Sequence, residues 1–430
     1  MNSRIQNQSA LATTALRTDA LAIVEAGYAA LDVGTALART LHIEGDELSV
    51  GGTAYPLAGR PAFFVGVGKC AFATARAIEK ILGDKLLGGI ALDVSPLQGD
   101  PLQKIETFVG THPLPSEVNE AATRRILDFL DARTENDLVI MLISGGGSTL
   151  LCDHEAPMTC LDESSVFREL TARGALIQDI NTVRKHTSRA RGGALAAAAY
   201  PAEVISLIVS DVPGNDLSAI ASGPTVLDTS TVDDARAILA RYEIPALEHI
   251  QLLETPKDQR YFDHTTNVLF LTSHDALAAM KDVAAAHGYT VEIVNDQFAG
   301  EAREVGRTVV ESLHTRGAKT ALLYAGESTV TLAGESGKGG RNQEMALAVL
   351  GELSPDELVL PFASDGRDNT EYAGAIADRE TLAHAQEKNL SLAEYLDAHR
   401  SYDFFTLSGD ALLTGYTGSN VSDLIVALKK

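Results

Sequence analysis

Hydrophobic positions along this chain fall into two periods. Near the start, Leu21, Val24, Tyr28, Leu31 and Leu37 keep helical spacing, which predicts one amphipathic helix over 18–41. Further on, short apolar runs bounded by Gly, Ser or Asp predict strands over 62–65, 90–94, 138–143, 204–210, 268–272, 290–294, 321–324, 358–363 and 424–428. Several of these runs lack alternation, as strands covered on both faces do. Helical segments over 71–82, 117–132, 187–199, 276–287, 301–315 and 343–350 lie between many of them. Strand–helix alternation of this kind predicts an α/β fold built on parallel sheets with helices on both sides.

A chain of 430 residues exceeds the roughly 250–300 at which single cores stop growing, so two domains are expected. The stretch 242–266 breaks the pattern with Pro245, Pro256 and the charged run Lys257, Asp258, Arg260 and Asp263. We place the boundary there, giving domains 1–255 and 256–430. The glycine-rich segment 334–340 reads as a mobile loop.

Charge then narrows the partners. Asp and Glu number 58 against 35 Lys and Arg, a formal charge of −23, and such a surface repels nucleic acid and anionic membranes. An anionic ligand must therefore be drawn in by local donors. Cys70, Cys152 and Cys160 form neither a disulfide framework nor a cysteine zinc site. The first 15 residues lack the apolar block of a signal peptide, and no run reaches the roughly 18 apolar residues of a spanning helix. These features predict a soluble cytoplasmic protein.

In parallel α/β sheets ligands gather at the carboxyl ends of strands, and the unusual clusters here sit at such ends. Gly66-Val67-Gly68-Lys69-Cys70-Ala71 follows a strand and opens a helix, where free N–H groups suit an anion. It also satisfies the G-x-G-x-x-A dinucleotide pattern, with Asp93 ending the next strand. Ser144-Gly145-Gly146-Gly147-Ser148 follows another buried strand, and its glycines can line an anion nest without forming a Walker A loop. Arg184, Lys185 and His186, followed by Arg189 and Arg191, concentrate positive charge in an acidic protein. Asp211 ends an apolar strand, where it can accept a proton or hold a cation; Asp365 and Asp368 stand in a glycine-containing loop that suits a hard cation. Glu327 follows a strand, and Arg341-Asn342 open a helix, where an arginine opposes the macrodipole. Taken singly, each cluster also has a plain reading as a turn, a cap or a solvated charge.

Together, the strings GVGKCA, THPLPSEVNEAA, ISGGGSTLL, INTVRKHTSRARGGALA, ISLIVSDVPGNDLSAIASGPT, GESTV, GKGGRNQEMALA, DGRDNTEYAGAIAD and GYTGSNVSDLIV resemble the class II glycerate 2-kinases with a MOFRL-type carboxyl-terminal region, in the family's order. The resemblance implies a Rossmann-like parallel-sheet amino-terminal domain, a smaller α/β carboxyl-terminal domain and an active site in the cleft between them. It implies phosphorylation of D-glycerate at the 2-hydroxyl with ATP and Mg²⁺, and is compatible with a homodimer. Lys69 and Arg341 match the family's cleft lysine and arginine, and the SGGGS loop, Arg184, Lys185, Asp211 and Asp365 match site-lining positions. The chain departs from the usual family strings at Thr111, Asn215, Arg367, Asn369, Glu371, Tyr416 and Ser419.

Phosphoryl transfer asks the protein for positioning and for cations around developing charge. On this reading Lys69 and Arg341 stabilise charge, Asp211 serves as base or metal ligand, and Asp365 is the second metal candidate. Gly68, the backbone of Ser144 to Ser148, Arg184, Lys185, Glu327 and Asn342 bind substrate or nucleotide. Two other readings stay open at this point. One is an NAD(P)-dependent hydroxyacid reductase, prompted by the GVGKCA string and Asp93; the other is a non-catalytic phosphosugar-binding regulator.

Overall fold

The computed structural model describes residues 3–244, 250–332 and 337–430. Part of the expected loop at 334–340, and Pro245 of the expected linker, lie outside the described residues. The chain forms two compact units, each discontinuous in sequence. One comprises Ala36–Asp211 and Asn215–Phe270, the other Met1–Thr35, Val212–Gly214 and Leu271–Lys430. The division thus differs from a single break at 255: it falls after Phe270 and gives the first 35 residues to the unit that holds the carboxyl-terminal half.

The first unit opens with an antiparallel three-stranded sheet, β1 (Leu41–Glu44), β2 (Glu47–Val50) and β3 (Thr53–Pro56). Its main sheet contains β4 (Ala62–Val67), β5 (Leu86–Asp93), β6 (Ile105–Val109), β7 (Leu138–Ile143), β8 (Glu203–Val209) and β9 (Thr265–Leu271), in the order β6-β5-β4-β7-β8-β9. The first five of these strands are parallel. All six residues of β7 are buried, because helices cover both sheet faces, and this explains why its sequence shows no alternation. The strand order reverses between β4 and β7, the topological switch point of a doubly wound sheet.

The second unit holds β10 (Thr290–Glu301), β11 (Thr320–Thr329), β12 (Glu357–Ala363), β13 (Gly374–Ala375), β14 (Ala377–Asp378), β15 (Ala411–Leu412) and β16 (Asp423–Lys429). The order is β10-β11-β16-β12-β13-β15, with β14 beside β12. Only the β10–β11 pairing is parallel; β16 runs antiparallel to both β11 and β12. The expected parallel arrangement therefore holds in the first unit, whereas this sheet is mixed. A strand buried on both faces reads as an apolar run whatever its direction, and the run at 424–428 carries no mark of its sense.

The expected single helix over 18–41 is two helices, Ala15–Ala30 and Val33–Thr40. Asp32 separates them by accepting the Thr35 N–H at 2.9 Å, a local cap that competes with continuation of the helix. The first helix is fastened to the second unit by the buried guanidinium of Arg17, which donates Nε to Asp378 at 2.7 Å and Nη1 to Asp410 at 2.9 Å. Among the described residues no single helix is long and apolar enough to cross a membrane.

Candidate functional site

In the first unit the glycine-rich loops after β4 and β7 interlock. Lys69 N–H donates to Gly145 O at 2.9 Å, Cys70 N–H to Ser144 Oγ at 3.2 Å, and Ser144 N–H to Val67 O at 3.0 Å. Gly68 has φ 113°, and a Cβ there would lie 2.2 Å from Ser144 Oγ, so both the backbone conformation and the contact demand glycine. A Cβ placed on Gly146 would lie 3.5 Å from His112 Cδ2, 3.5 Å from Val94 Cγ1 and 3.6 Å from Lys69 Cγ. The loops leaving β4, β5, β6 and β7 thus converge over Gly146. Inside the β7 loop, Gly147 N–H donates to Ser144 O and Thr149 N–H to Gly146 O. Ser148 Oγ meets Ser222 Oγ at 2.9 Å, which ties the loop to the segment after β8.

Asp93 has a local task. Its carboxylate accepts the N–H groups of Phe72 (3.0 Å), Val94 (2.7 Å) and Ser95 (3.2 Å), and burial pushes it up to about 6 against the pull of those bonds. It supplies negative charge at the start of helix Ala71–Leu82, where the dinucleotide reading needed a place for phosphate and a carboxylate free for ribose.

The basic segment belongs to helix Ile177–Lys185 and the turn after it. Arg184 is nearly buried, with its guanidinium 4.1 Å above the Phe167 ring and 3.9 Å from Glu163. The fully buried Arg191 takes the same carboxylate at 2.8 Å, and His154 Nε2 is 2.7 Å from it. Burial, then repulsion from Arg191, lowers Arg184 to about 10; Arg191, His154 and Arg184 together overcome burial to hold Glu163 down at about 2. Arg184 Nε has no hydrogen-bond partner among the described residues. Lys185, expected to reach a ligand, is buried and donates Nζ to Asp228 at 3.1 Å, a structural pair. His186 is likewise internal, between Leu253 O and Ser230 Oγ. Asp211 lies two residues past β8 and is half-buried.

The second unit builds a different constellation. Because β16 is antiparallel to its neighbours, its first residue Asp423 is in register with Gly326 on β11 and with Ala363 on β12. One strand start is thereby placed beside two strand ends. Arg341, the first residue of helix Arg341–Val349, donates Nε to Asp423 Oδ2 at 2.5 Å and Nη2 to Oδ1 at 3.3 Å, and pairs with Glu327 through Nη1. These carboxylates offset the unfavourable place of a cation at a helix start. They raise Arg341 further, whereas burial carries Asp423 up to about 7. Asp368 caps the same helix, accepting the N–H groups of Asn342 (3.1 Å) and Gln343 (2.8 Å). The Asn342 side-chain amide also serves Asp368, at 3.2 Å. In the loop after β12, Asp365 is half-buried and accepts Arg367 N–H at 2.9 Å. Arg367 lies 5.4 Å from the centre of the Tyr416 ring, so two departures from the family strings meet as one cation–π pair.

Lys69, Gly68, the 144–148 loop, Arg184, Lys185 and Asp211 belong to the first unit; Arg341, Asn342, Glu327 and Asp365 belong to the second. Among the described residues no three His, Cys, Asp or Glu side chains form a closed metal cage. Reading the sequence missed His399 and Ser401, which line a pocket with Arg341. They lie in a stretch, 379–414, that carried no recognised motif.

A family model described as a domain of unknown function, DUF4147, matches residues 19–253, and the MOFRL family model matches 320–423. The chain is 37% identical to a D-glycerate 2-kinase of Thermotoga maritima over 85% of this chain and 89% of that protein. It is 39% identical to an Agrobacterium vitis protein carrying the provisional name hydroxypyruvate reductase, over 84% of this chain and 85% of that one. The crystal structure of a Thermotoga maritima glycerate kinase superposes with a TM-score of 0.84 at 31% identity, covering 96% of this chain and 99% of that one.

Proposed function

The chain belongs to the glycerate kinase family and is a kinase, and from that premise we propose that it transfers the γ-phosphoryl group of ATP to the 2-hydroxyl of D-glycerate. The observation that carries the substrate half of this reading is the interlock of the β4 and β7 loops, which sets backbone N–H groups and Lys69 around Gly146. A small hydroxy acid suits such a site, with its carboxylate held by N–H groups and a cation. Arg184 adds a guanidinium short of negative charge.

Lys69 and Arg341 would stabilise charge on the transferring phosphoryl group, Arg341 with the planar fork that suits phosphate oxygens. Mg²⁺ suits this chain as a metal that arrives with the nucleotide and takes one or two protein carboxylates; Asp211 and Asp365, both half-buried at strand ends, are the residues that would hold it. Bound there, it would neutralise phosphate charge. Three buried cysteines outside any disulfide fit a reducing compartment, the cytoplasm.

The test is direct. Purified protein with ATP, Mg²⁺ and D-glycerate should yield 2-phosphoglycerate, distinguished from the 3-isomer by ³¹P NMR; the 3-isomer, or no phosphoester with any nucleoside triphosphate, refutes the reading. Titrating Mg²⁺ against Asp211→Asn and Asp365→Asn should raise the metal requirement in at least one, and an unchanged requirement in both removes these carboxylates as ligands. The reductase reading retains the Gly66-x-Gly68-x-x-Ala71 string and the name of one relative. The internal use of Asp93 weighs against it, and NADH oxidation by hydroxypyruvate without ATP would restore it.

A further inference from the structure

Two segments of the second unit pair in a way that the regular elements do not require. Gly337 N–H donates to Ala398 O at 3.0 Å, and Tyr402 N–H to Lys338 O at 3.1 Å. A Cβ on Gly339 would lie 2.1 Å from Ser401 Oγ, so glycine is needed for this approach. The pairing carries His399 and Ser401 to the start of helix Arg341–Val349 and completes a pocket of about 310 Å³, with Arg341, Ser328, Val330 and Leu332 also in its wall.

The pocket is rich in unused hydrogen-bonding capacity. Ser328 and Ser401 are each 1% exposed, yet neither Oγ has a partner among the described residues. Buried hydroxyls are normally bonded, so two unpartnered ones lining one pocket point to a ligand with acceptor atoms. The His399 ring is held through Nδ1, 2.9 Å from Glu344, and its backbone sits at φ 50°, a conformation few non-glycine residues adopt. Glu344 would oppose an anion here, and so would Asp423 and Glu327, which already pair with Arg341. Arg303 offsets Glu344, donating Nε at 2.9 Å and Nη2 at 2.5 Å. The hydroxyls and the guanidinium favour phosphoryl or carboxylate oxygens; the first N–H groups of the helix are already taken by Asp368.

The rim separates two sources of such oxygens. Val330 and Leu332 contribute apolar surface, and Leu332 is 56% exposed. A phosphorylated three-carbon acid has nothing to place there, whereas a nucleoside does. We propose that this pocket is the nucleotide site of the kinase, its Ser328 and Ser401 hydroxyls and Arg341 guanidinium taking phosphate oxygens and Val330 and Leu332 meeting the nucleoside. The proposal rests on the kinase reading and adds where the donor binds.

Isothermal titration with ADP, tripolyphosphate and 2-phosphoglycerate tests it on the full chain. Ser328→Ala/Ser401→Ala should weaken ADP and tripolyphosphate by about tenfold or more, a loss on the scale of buried hydrogen bonds, and leave the KM for D-glycerate in place. Leu332→Glu alters an exposed position that folding does not need, and should weaken ADP while tripolyphosphate keeps its affinity within about twofold. Unchanged ADP affinity in both variants, or selective loss of 2-phosphoglycerate binding, overturns the nucleotide assignment. If instead the wild-type protein phosphorylates no acid, the kinase reading itself has failed; turnover that persists with unmoved ADP affinities sinks only the placement.

Discussion

Arg184 and Arg341 are both arginines at a helix terminus of an acidic protein, but their surroundings are opposite. Around Arg184, two arginines and a histidine share one carboxylate, Glu163. Around Arg341, one guanidinium faces two carboxylates, Asp423 and Glu327. The first cation is short of negative charge and its affinity for a proton falls; the second has a surplus and its affinity rises. The ratio of partners within a few ångströms therefore decides what an arginine can do, and a run of basic residues does not reveal it. A cation short of negative charge gains from an anionic ligand outright, whereas Arg341 would first have to give up a carboxylate.

The sharpest way to break this contrast is Glu163→Gln, which leaves two buried guanidinium groups without a carboxylate. We expect a loss of about 3–5 kcal/mol in urea unfolding; a change below about 1 kcal/mol would mean that Glu163 is not the anchor. The same variant carries a pH signature. Glu163 sits below its ordinary value in the folded protein, so the stability it contributes is present above about pH 4.5 and is lost as pH falls toward 2. The gap between wild type and variant should narrow over that window, and a constant gap would contradict the ion-pair role.

Next in size is Arg341→Lys, which keeps a charge and removes the fork. A kcat decrease of about 10²-fold is expected in steady-state assays, on the scale of losing one preorganised donor; kinetics near those of wild type would take Arg341 out of the chemistry. Smaller again is Arg184→Met. Removing a cation that repels Arg191 should leave the urea midpoint level or higher, while the KM for the hydroxy acid rises about tenfold. A lower midpoint with an unchanged KM would recast Arg184 as purely structural. The smallest effect belongs to Glu327→Gln. Its pairing with Arg341 is largely exposed, so the stability change should stay within about 0.5 kcal/mol; a larger loss would show the pair to be screened from water.

Reading the chain from residues alone located the long strands of both units, since an apolar run of five or more residues ending at Gly, Ser or Asp has few alternatives. The short elements β1 to β3 and β13 to β15 escaped, because two to four residues carry too little pattern, and so did the edge strand β6, whose residues after Ile105 are not buried and form no apolar run. Helix Ala15–Ala30 was legible, but its membership of the second unit was not: that depends on Arg17 finding Asp378 and Asp410 more than 360 residues away. Likewise Lys185 carried a ligand role on paper, and only the position of Asp228 made it a structural residue.

What the sequence by itself determined was the parallel sheet of the first unit, the glycine loops at its strand ends and the family of the chain, because each is written in residues close together or in strings kept in order. Tertiary structure alone decided that β16 runs antiparallel between β11 and β12, that Asp423 therefore meets Arg341, and that Ser401 and His399 close a pocket around it. Those outcomes hang on pairings between distant segments. The direction of a strand buried on both faces, and the partner of a buried charge, leave no local trace in the order of residues.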